Sequence, residues 1–182
     1  MKIFMQEHSK AAYFADFVVY GIAIVALAVF LLVAGPQNQA LELFVLVIIG
    51  LLFWTVVEYF LHRFILHGVQ PFQKWHEEHH RRPVARIRIP TMFSALFFLA
   101  LFFLPVLLFG GDLWLACALT LGLLSGYLMY TITHHAIHHW RTDNAWLKRR
   151  QHWHGLHHDL EEPGRYGTTS RFWDRVFGSA GS

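Results

Sequence analysis

The sequence has one cysteine, Cys117, within an apolar stretch, so it can build neither a disulfide framework nor a thiolate metal site. A small buried hydrophobe is the expected role for that residue. Charge is also scarce. Only 15% of the 182 residues are Asp, Glu, Lys or Arg, against 55% hydrophobic, and this balance excludes an ordinary soluble domain. The net charge of +3 is carried beside hydrophobic segments and not in a separate basic domain, which argues against nucleic acid as a partner. No low-complexity segment is present. Residues Gly178 to Ser182 are expected to form a flexible tail.

The chain does contain four long apolar stretches, Ala12 to Ala34, Leu41 to Leu61, Met92 to Phe109 and Leu113 to Thr133. Each approaches the roughly 20 residues that a helix needs to cross a bilayer. The first is too long for a cleaved leader and is followed almost at once by the second, so it is expected to be retained. Short, turn-rich connectors, Gly35 to Gln39 and Gly110 to Asp112, join the stretches into two helical hairpins. The predicted fold is all-α: a polytopic membrane protein with four transmembrane helices, one membrane-embedded domain over residues 1–182. Pro105 predicts a kink in the third span, and Gly122 and Gly126, four apart, predict a close helix approach in the fourth.

Neither hairpin tip carries Lys or Arg. All 15 such residues fall on the other side, in the N-terminal tail, in residues 62–91 and after residue 133. By the positive-inside rule that side is cytoplasmic. Trp75, Trp140, Trp146, Trp153 and Trp173 lie there too, and interfacial anchoring accounts for them. Arg81, Arg82, Arg86 and Arg88 could grip a phosphate or carboxylate headgroup, with topology anchoring as the simpler role.

Histidine is in excess. Of 14 copies, 13 fall between His62 and His158, in tight clusters at the cytoplasmic ends of the spans. His62 and His67 end span two; His76, His79 and His80 follow; His134 and His138 extend span four; His154, His157 and His158 come last. On a helix, positions i, i+3 and i+4 share a face, so each His-x-x-His-His segment aims three imidazoles one way. His62 and His67, five apart, would diverge by about 140° on a straight helix, which predicts a bend or helix end between them. Ten ligands exceed one ion, whereas two six-coordinate ions offer about twelve positions and leave room for oxygen. A dinuclear metal centre, held by a cytoplasmic helical cap, is the expected result. A helical hairpin followed by such histidines occurs once in each half, suggesting a pseudo-twofold design with five ligands per half. His139 and Glu58, one turn before His62, are expected to support the ligands from outside. Tyr130, one turn before His134, is placed to face a substrate or simply the interface. His8 and His152 are expected at the surface. Imidazole alone does not choose among Zn, Cu, Fe and Ni. A cage of this size is excessive for structural zinc, which points to redox iron, although zinc could occupy the same nitrogens in a purified sample.

The spacings His-x4-His, His-x-x-His-His, His-x3-His and His-x-x-His-His, together with four spans, resemble the fatty acid hydroxylase superfamily, which includes sterol desaturase-like and carotenoid hydroxylase-like members. The resemblance covers roughly residues 50 to 178. Trp54 to Phe64, Arg86 to Pro90 and Thr168 to Gly178 look most like the fatty acid 2-hydroxylase branch. That resemblance implies a non-haem di-iron monooxygenase, an oxidoreductase of lipid metabolism. It would use O2 and external electrons to hydroxylate the acyl chain of a lipid or fatty acid at the carbon next to the carbonyl. Relatives in this branch often carry a fused haem domain. None is visible here, so a separate cytochrome, ferredoxin or reductase is implied. No residue is assigned as a catalytic acid or base. Desaturation is the neighbouring alternative within the superfamily. A metal transporter or sensor is the alternative of another class, disfavoured because the centres of the spans lack histidine and charge. The minimal length favours a bacterial inner membrane over the endoplasmic reticulum.

Overall fold

A computed structural model describes residues 7–159 and 164–181, and every regular element among them is helical. The helices are α1 (Lys10–Ala34), α2 (Ala40–Phe60), α3 (Phe72–Arg81), α4 (Thr91–Phe98), α5 (Leu104–Gly110), α6 (Leu113–His139), α7 (Ala145–His157) and α8 (Phe172–Val176). Two π-helical turns, Leu61–Leu66 and Leu99–Phe103, continue α2 and join α4 to α5. Four segments, Lys10–Ala34, Gln37–Leu66, Thr91–Gly110 and Leu113–His139, are long and apolar enough to cross a bilayer, and the chain is an integral membrane protein.

The chain divides into two compact units. The first, the membrane unit, comprises residues 14–54 and 89–128. Its helices are apolar on all sides, which suits a lipid surrounding: Leu32 and Val33 on α1 are 77% and 81% exposed. With no hydrophobic drive between helices in lipid, close backbone packing and hydrogen bonds hold them together. A Cβ added to Gly122 would come within 2.1 Å of the Val47 carbonyl oxygen, one on Gly126 within 2.5 Å of Trp54, and one on Gly50 within 2.5 Å of the Leu119 carbonyl oxygen. The small residues therefore set the contact of α2 with α6. Around it, Trp54 and Tyr20 pack edge-on against Tyr127, whose hydroxyl donates to Asp16 at 2.9 Å. Tyr20 and Ser94 share a hydrogen bond of 2.7 Å. Gly122→Ala is expected to destabilise the protein by about 1–3 kcal/mol through overpacking. Gly21→Ala, where nothing lies within 4 Å, should leave the thermal midpoint in detergent unchanged.

Pro105 acts one turn ahead of itself. It has no N–H for the Leu101 carbonyl, and the backbone widens to a π turn over Leu99–Phe103 immediately before it. At the second hairpin tip, Gly111 takes a left-handed φ of 67° to end α5. Asp112 then caps α6, accepting from the Trp114 and Leu115 amides at 2.7 and 3.2 Å.

The second, the histidine unit, contains residues 55–88 and 129–181 with the N-terminal strap, apart from residues 160–163. His8 is a structural residue here. Its amide donates to the Arg86 carbonyl at 2.9 Å, and its Nε2 donates to the Arg88 carbonyl at 2.8 Å. Glu7 pairs with Arg82 and Arg86, so these two arginines tie down the strap, and Arg82 also reaches Glu78 at 2.6 Å. Trp75 and Trp153 are buried, at 4% and 6% exposure. Their sequence neighbourhood suggested interfacial anchors, but they form core of this unit, whereas Trp140 and Trp146 are each 52% exposed.

Candidate metal centre

The ten histidines singled out from the sequence converge in the histidine unit from four elements. The π turn Leu61–Leu66 supplies His62 and, just past its end, His67; α3 supplies His76, His79 and His80; α6 supplies His134 and His138; α7 and its cap supply His154, His157 and His158. Asn144 starts α7 by accepting from the Leu147 amide at 3.1 Å, fixing the register that points His154 and His157 inward.

The π turn resolves the five-residue spacing. Where an α-helix would swing His67 away, an i→i+5 turn stacks it over His62, and the two rings lie 5.4 Å apart. The helix end expected between the two residues is present, at Leu66, with His67 as the first residue beyond it.

The imidazole nitrogens gather in two groups, each with its ligand atoms within 4.8 Å of one another. His62, His67, His76, His80 and His157 form one; His79, His134, His138 and His154 form the other. His158 adjoins the second, its Nε2 3.1 Å from that of His154, while its ring stacks on His80 at 4.2 Å. The partition does not follow the halves of the sequence. His157 crosses to the first group and His79 to the second: at 100° per residue the i,i+4 pairs His76–His80 and His154–His158 stay on one side of their helices, while the i+3 residues His79 and His157 turn about 60° the other way and address the other centre.

The donor geometry suits metal ions. Neighbouring Nε2 atoms are 3.0 Å apart for His62–His76 and His76–His80, and 3.3 Å for His67–His157. In the second group the separations are 3.1 Å for His79–His134 and His134–His154, 3.2 Å for His134–His138 and 3.0 Å for His138–His154. A metal–nitrogen bond of about 2.1 Å gives an edge of about 3.0 Å between adjacent ligands of an octahedron. His134 has three such neighbours at once, more than a single ring N–H can satisfy, so converging lone pairs on a cation explain the packing better than hydrogen bonds.

Outer contacts fix the tautomer. The Nδ1 of His62 donates to the Tyr166 carbonyl at 2.6 Å and that of His157 to the Gly164 carbonyl at 2.7 Å. Because a carbonyl only accepts, both Nδ1 atoms carry the hydrogen and both Nε2 atoms present a lone pair inward. The tethering loop is itself clamped. Asp174, fully buried, accepts from the Tyr166 and Gly167 amides at 2.8 and 2.9 Å and from the Ser179 hydroxyl at 2.8 Å. Glu58 accepts from the Thr168 and Thr169 amides, each at 2.8 Å, and from the Thr169 hydroxyl. Glu58 thus acts on the loop that holds His62. Ser179 also meets the Tyr59 hydroxyl at 2.8 Å, and its carbonyl accepts from the Arg165 amide at 2.8 Å. The stretch expected to be a flexible tail is therefore part of the clamp as far as Ser179. The second group has no equivalent tether at His79 and His154, whose buried Nδ1 atoms lack a hydrogen-bond partner among the described residues.

Tyr166, Gly164, Asp174 and Ser179 were not singled out as site residues. For Asp174 the signal available was the stretch Thr168 to Gly178, which carried part of the family resemblance; Gly164, Tyr166 and Ser179 lie just outside it and had none. Tyr130 stacks on His134 with ring centroids 5.7 Å apart. His139 stacks on His135 at 4.5 Å and meets the Tyr13 ring edge-on. Cys117 is buried in the membrane unit.

Burial keeps the imidazoles neutral and available as ligands. It pushes His157 down to about 3 against the opposing pull of the Gly164 carbonyl, and His158 down to about 4. His76, His79 and His154 are driven well below the ordinary histidine range, first by burial and then by neighbouring imidazoles. In the metal-free chain the unfolded state binds more protons between these values and about 6.5. Stability is therefore full above about pH 6.5 and falls on acidification, by up to about 1.4 kcal/mol per pH unit for a buried imidazole such as His157. Thermal midpoints of the chelated protein, measured from about pH 7.5 to about pH 5, should decline steeply below about 6.5. A flat profile would contradict the assignment of neutral buried rings.

The profile of the fatty acid hydroxylase family matches residues 47–179. The chain is 34% identical to the ceramide very long chain fatty acid hydroxylase scs7 of Schizosaccharomyces pombe over 159 residues, covering 80% of this chain and 44% of that protein. It is 35% identical to the dihydroceramide fatty acyl 2-hydroxylase FAH2 of Arabidopsis thaliana over 144 residues, 74% of this chain and 60% of that protein. The chain thus spans about half the length of these curated relatives. Among solved structures, full-length scs7p, with only its hydroxylase domain visible, superposes with a TM-score of 0.78 at 26% identity, covering 96% of this chain and 67% of that one. With the profile covering most of the chain and the histidine cage lying within it, the chain belongs to the fatty acid hydroxylase family.

Proposed function

We propose that the chain is a membrane-bound di-iron oxygenase that hydroxylates the acyl chain of a fatty acid or lipid at the carbon next to the carbonyl. The observation that carries this reading is the pair of convergent imidazole groups, nine nitrogens in two sets each within 4.8 Å, joined by His158. The substrate class and position are supported by the relatives, a ceramide very long chain fatty acid hydroxylase and a dihydroceramide fatty acyl 2-hydroxylase. All-nitrogen ligation of this extent exceeds what structural zinc uses, and iron supplies the redox chemistry by which O2 is activated toward a C–H bond.

His62, His67, His76, His80 and His157 hold one ion, and His79, His134, His138, His154 and His158 the other. Tyr166 and Gly164 hold the Nδ1 protons of His62 and His157, so those rings cannot flip during turnover. Glu58 and Asp174 fix the loop that carries both carbonyls. His139 supports α6 beside His135 and Tyr13. Residues 1–182 act as one catalytic domain. Electrons come from a cytochrome, ferredoxin or reductase. The cage faces the cytoplasm, on the strength of the Lys and Arg distribution, and nucleic acid has no role.

Product mass tests the reaction. Lipids of cells expressing the chain should contain acyl chains that have gained one oxygen, with the hydroxyl at carbon 2. Acyl chains that have lost two hydrogens without gaining oxygen would make the protein a desaturase and overturn the proposal.

A further inference from the structure

The histidine unit carries a second set of charged side chains that the metal centre does not use. Arg171, just before α8, reaches the helix α7 that carries Arg150, and Arg175 follows one turn later, its amide donating to the Arg171 carbonyl at 3.3 Å; the charges of Arg171 and Arg175 both act on Arg150. Arg171 lies over the Trp153 ring at 3.6 Å, and Arg150 over the Trp146 ring at 5.8 Å. The Nη1 of Arg150 and the Nε of Arg171 are buried without a hydrogen-bond acceptor, and none of the three arginines forms a salt bridge among the described residues. The carboxylates nearest in charge, Glu58 and Asp174, are already occupied by the Thr168–Thr169 and Tyr166–Gly167 amides. Three like charges held together with buried donors unsatisfied call for an anion.

The surroundings indicate which anion. Trp173 Nε1 donates to Thr55 Oγ1 at 2.9 Å, and Phe177 packs on Tyr59 and Phe60 at 5.3 and 5.5 Å, so α8 is seated on the second membrane-spanning segment. Its outward residues Phe172, Val176 and Phe177 are 57%, 53% and 44% exposed, and they continue an exposed apolar surface formed by Phe60 and Phe64 of that span. An aromatic foot of this kind, joined to a spanning helix and bordered by guanidinium groups, matches the boundary where acyl chains meet headgroups. We propose that Arg150, Arg171 and Arg175, with the aromatic foot of α8, form a binding site for the phosphate of an anionic membrane phospholipid. Anionic lipid would then hold α8, and through Asp174 the loop that tethers His62 and His157.

The full chain purified in detergent can be titrated with phosphatidylglycerol and with phosphatidylcholine, bound lipid being counted by native mass spectrometry. The wild type should prefer phosphatidylglycerol, and Arg150→Gln with Arg171→Gln should weaken its binding about 30-fold, two interfacial arginines being removed. Arg149→Gln, an exposed residue of the same helix, should change nothing. Equal retention of the two lipids by the wild type would overturn the proposal whether or not the double variant folds, as would undiminished phosphatidylglycerol binding by a folded double variant. Displacement of the lipid by a millimolar excess of inorganic phosphate would make the site one for a soluble anion and reject the lipid. Loss of binding to an acidic ferredoxin in the double variant, with lipid binding intact, would make the patch a protein dock and equally reject it.

Discussion

His157→Ala is expected to abolish product formation, lowering it at least about 100-fold, because on the proposed assignment it removes a ligand and not merely a group that orients one. His157 lies with four imidazoles from the other half of the chain, its Nε2 3.3 Å from that of His67, and is 3% exposed. Alanine leaves a gap in the coordination shell that water can enter, and it cuts α7 from the Gly164 carbonyl. The effect should fall on turnover and metal content together. Lipid mass spectrometry of cells expressing the variant beside wild type gives the reading. The same hydroxylated acyl chain at the same level in both would remove His157 from the centre.

Asp174→Ala should lower metal affinity or activity by about 10- to 100-fold, although Asp174 touches no ligand nitrogen. Its carboxylate accepts from the Tyr166 and Gly167 amides and the Ser179 hydroxyl. Without it those buried donors lose their acceptor at about 1–3 kcal/mol each, the Tyr166 carbonyl loses its position, and His62 loses its tether. Asp174→Asn, which keeps one carbonyl acceptor, should retain part of both metal and activity. A variant that melts earlier yet holds metal and turns over normally would confine Asp174 to a structural role. Positioning predicts that metal affinity falls even in molecules still folded.

Much of this was legible in the sequence. Long apolar runs report membrane helices directly, since lipid demands apolar side chains on every face; the first and third spans matched closely, while the second and fourth run on into the histidines, to Leu66 and His139, where the apolar run no longer marks the helix. Asp112 and Gly111 announced the second hairpin tip. The ten histidines were readable as candidates because i, i+3 and i+4 spacing is local. What the sequence withheld depends on tertiary placement. The π turn that brings His67 over His62 is a backbone choice that no side-chain pattern encodes. The exchange of His79 and His157 between groups depends on how α3 and α7 oppose each other. In the clamp Glu58 holds the Thr168 and Thr169 amides from 110 and 111 positions away, Tyr59 meets the Ser179 hydroxyl from 120 away, and Asp174 holds two amides of its own loop, none of which leaves a periodic trace. Trp75 and Trp153 show the same limit: an indole reads alike in sequence whether it anchors at an interface or fills a core.

The claim most exposed to test is that two metal positions draw their ligands from both halves of the chain. Iron per chain, measured on protein purified without added metal, should be close to two for wild type. His79→Ala and His134→Ala, from different halves, should lose the same ion, and His80→Ala and His157→Ala the other, each retaining about one, as read by the spectroscopic signature of the iron that remains. Loss patterns that pair His79 with His80, and His134 with His157, would contradict the account and restore one metal to each half of the sequence.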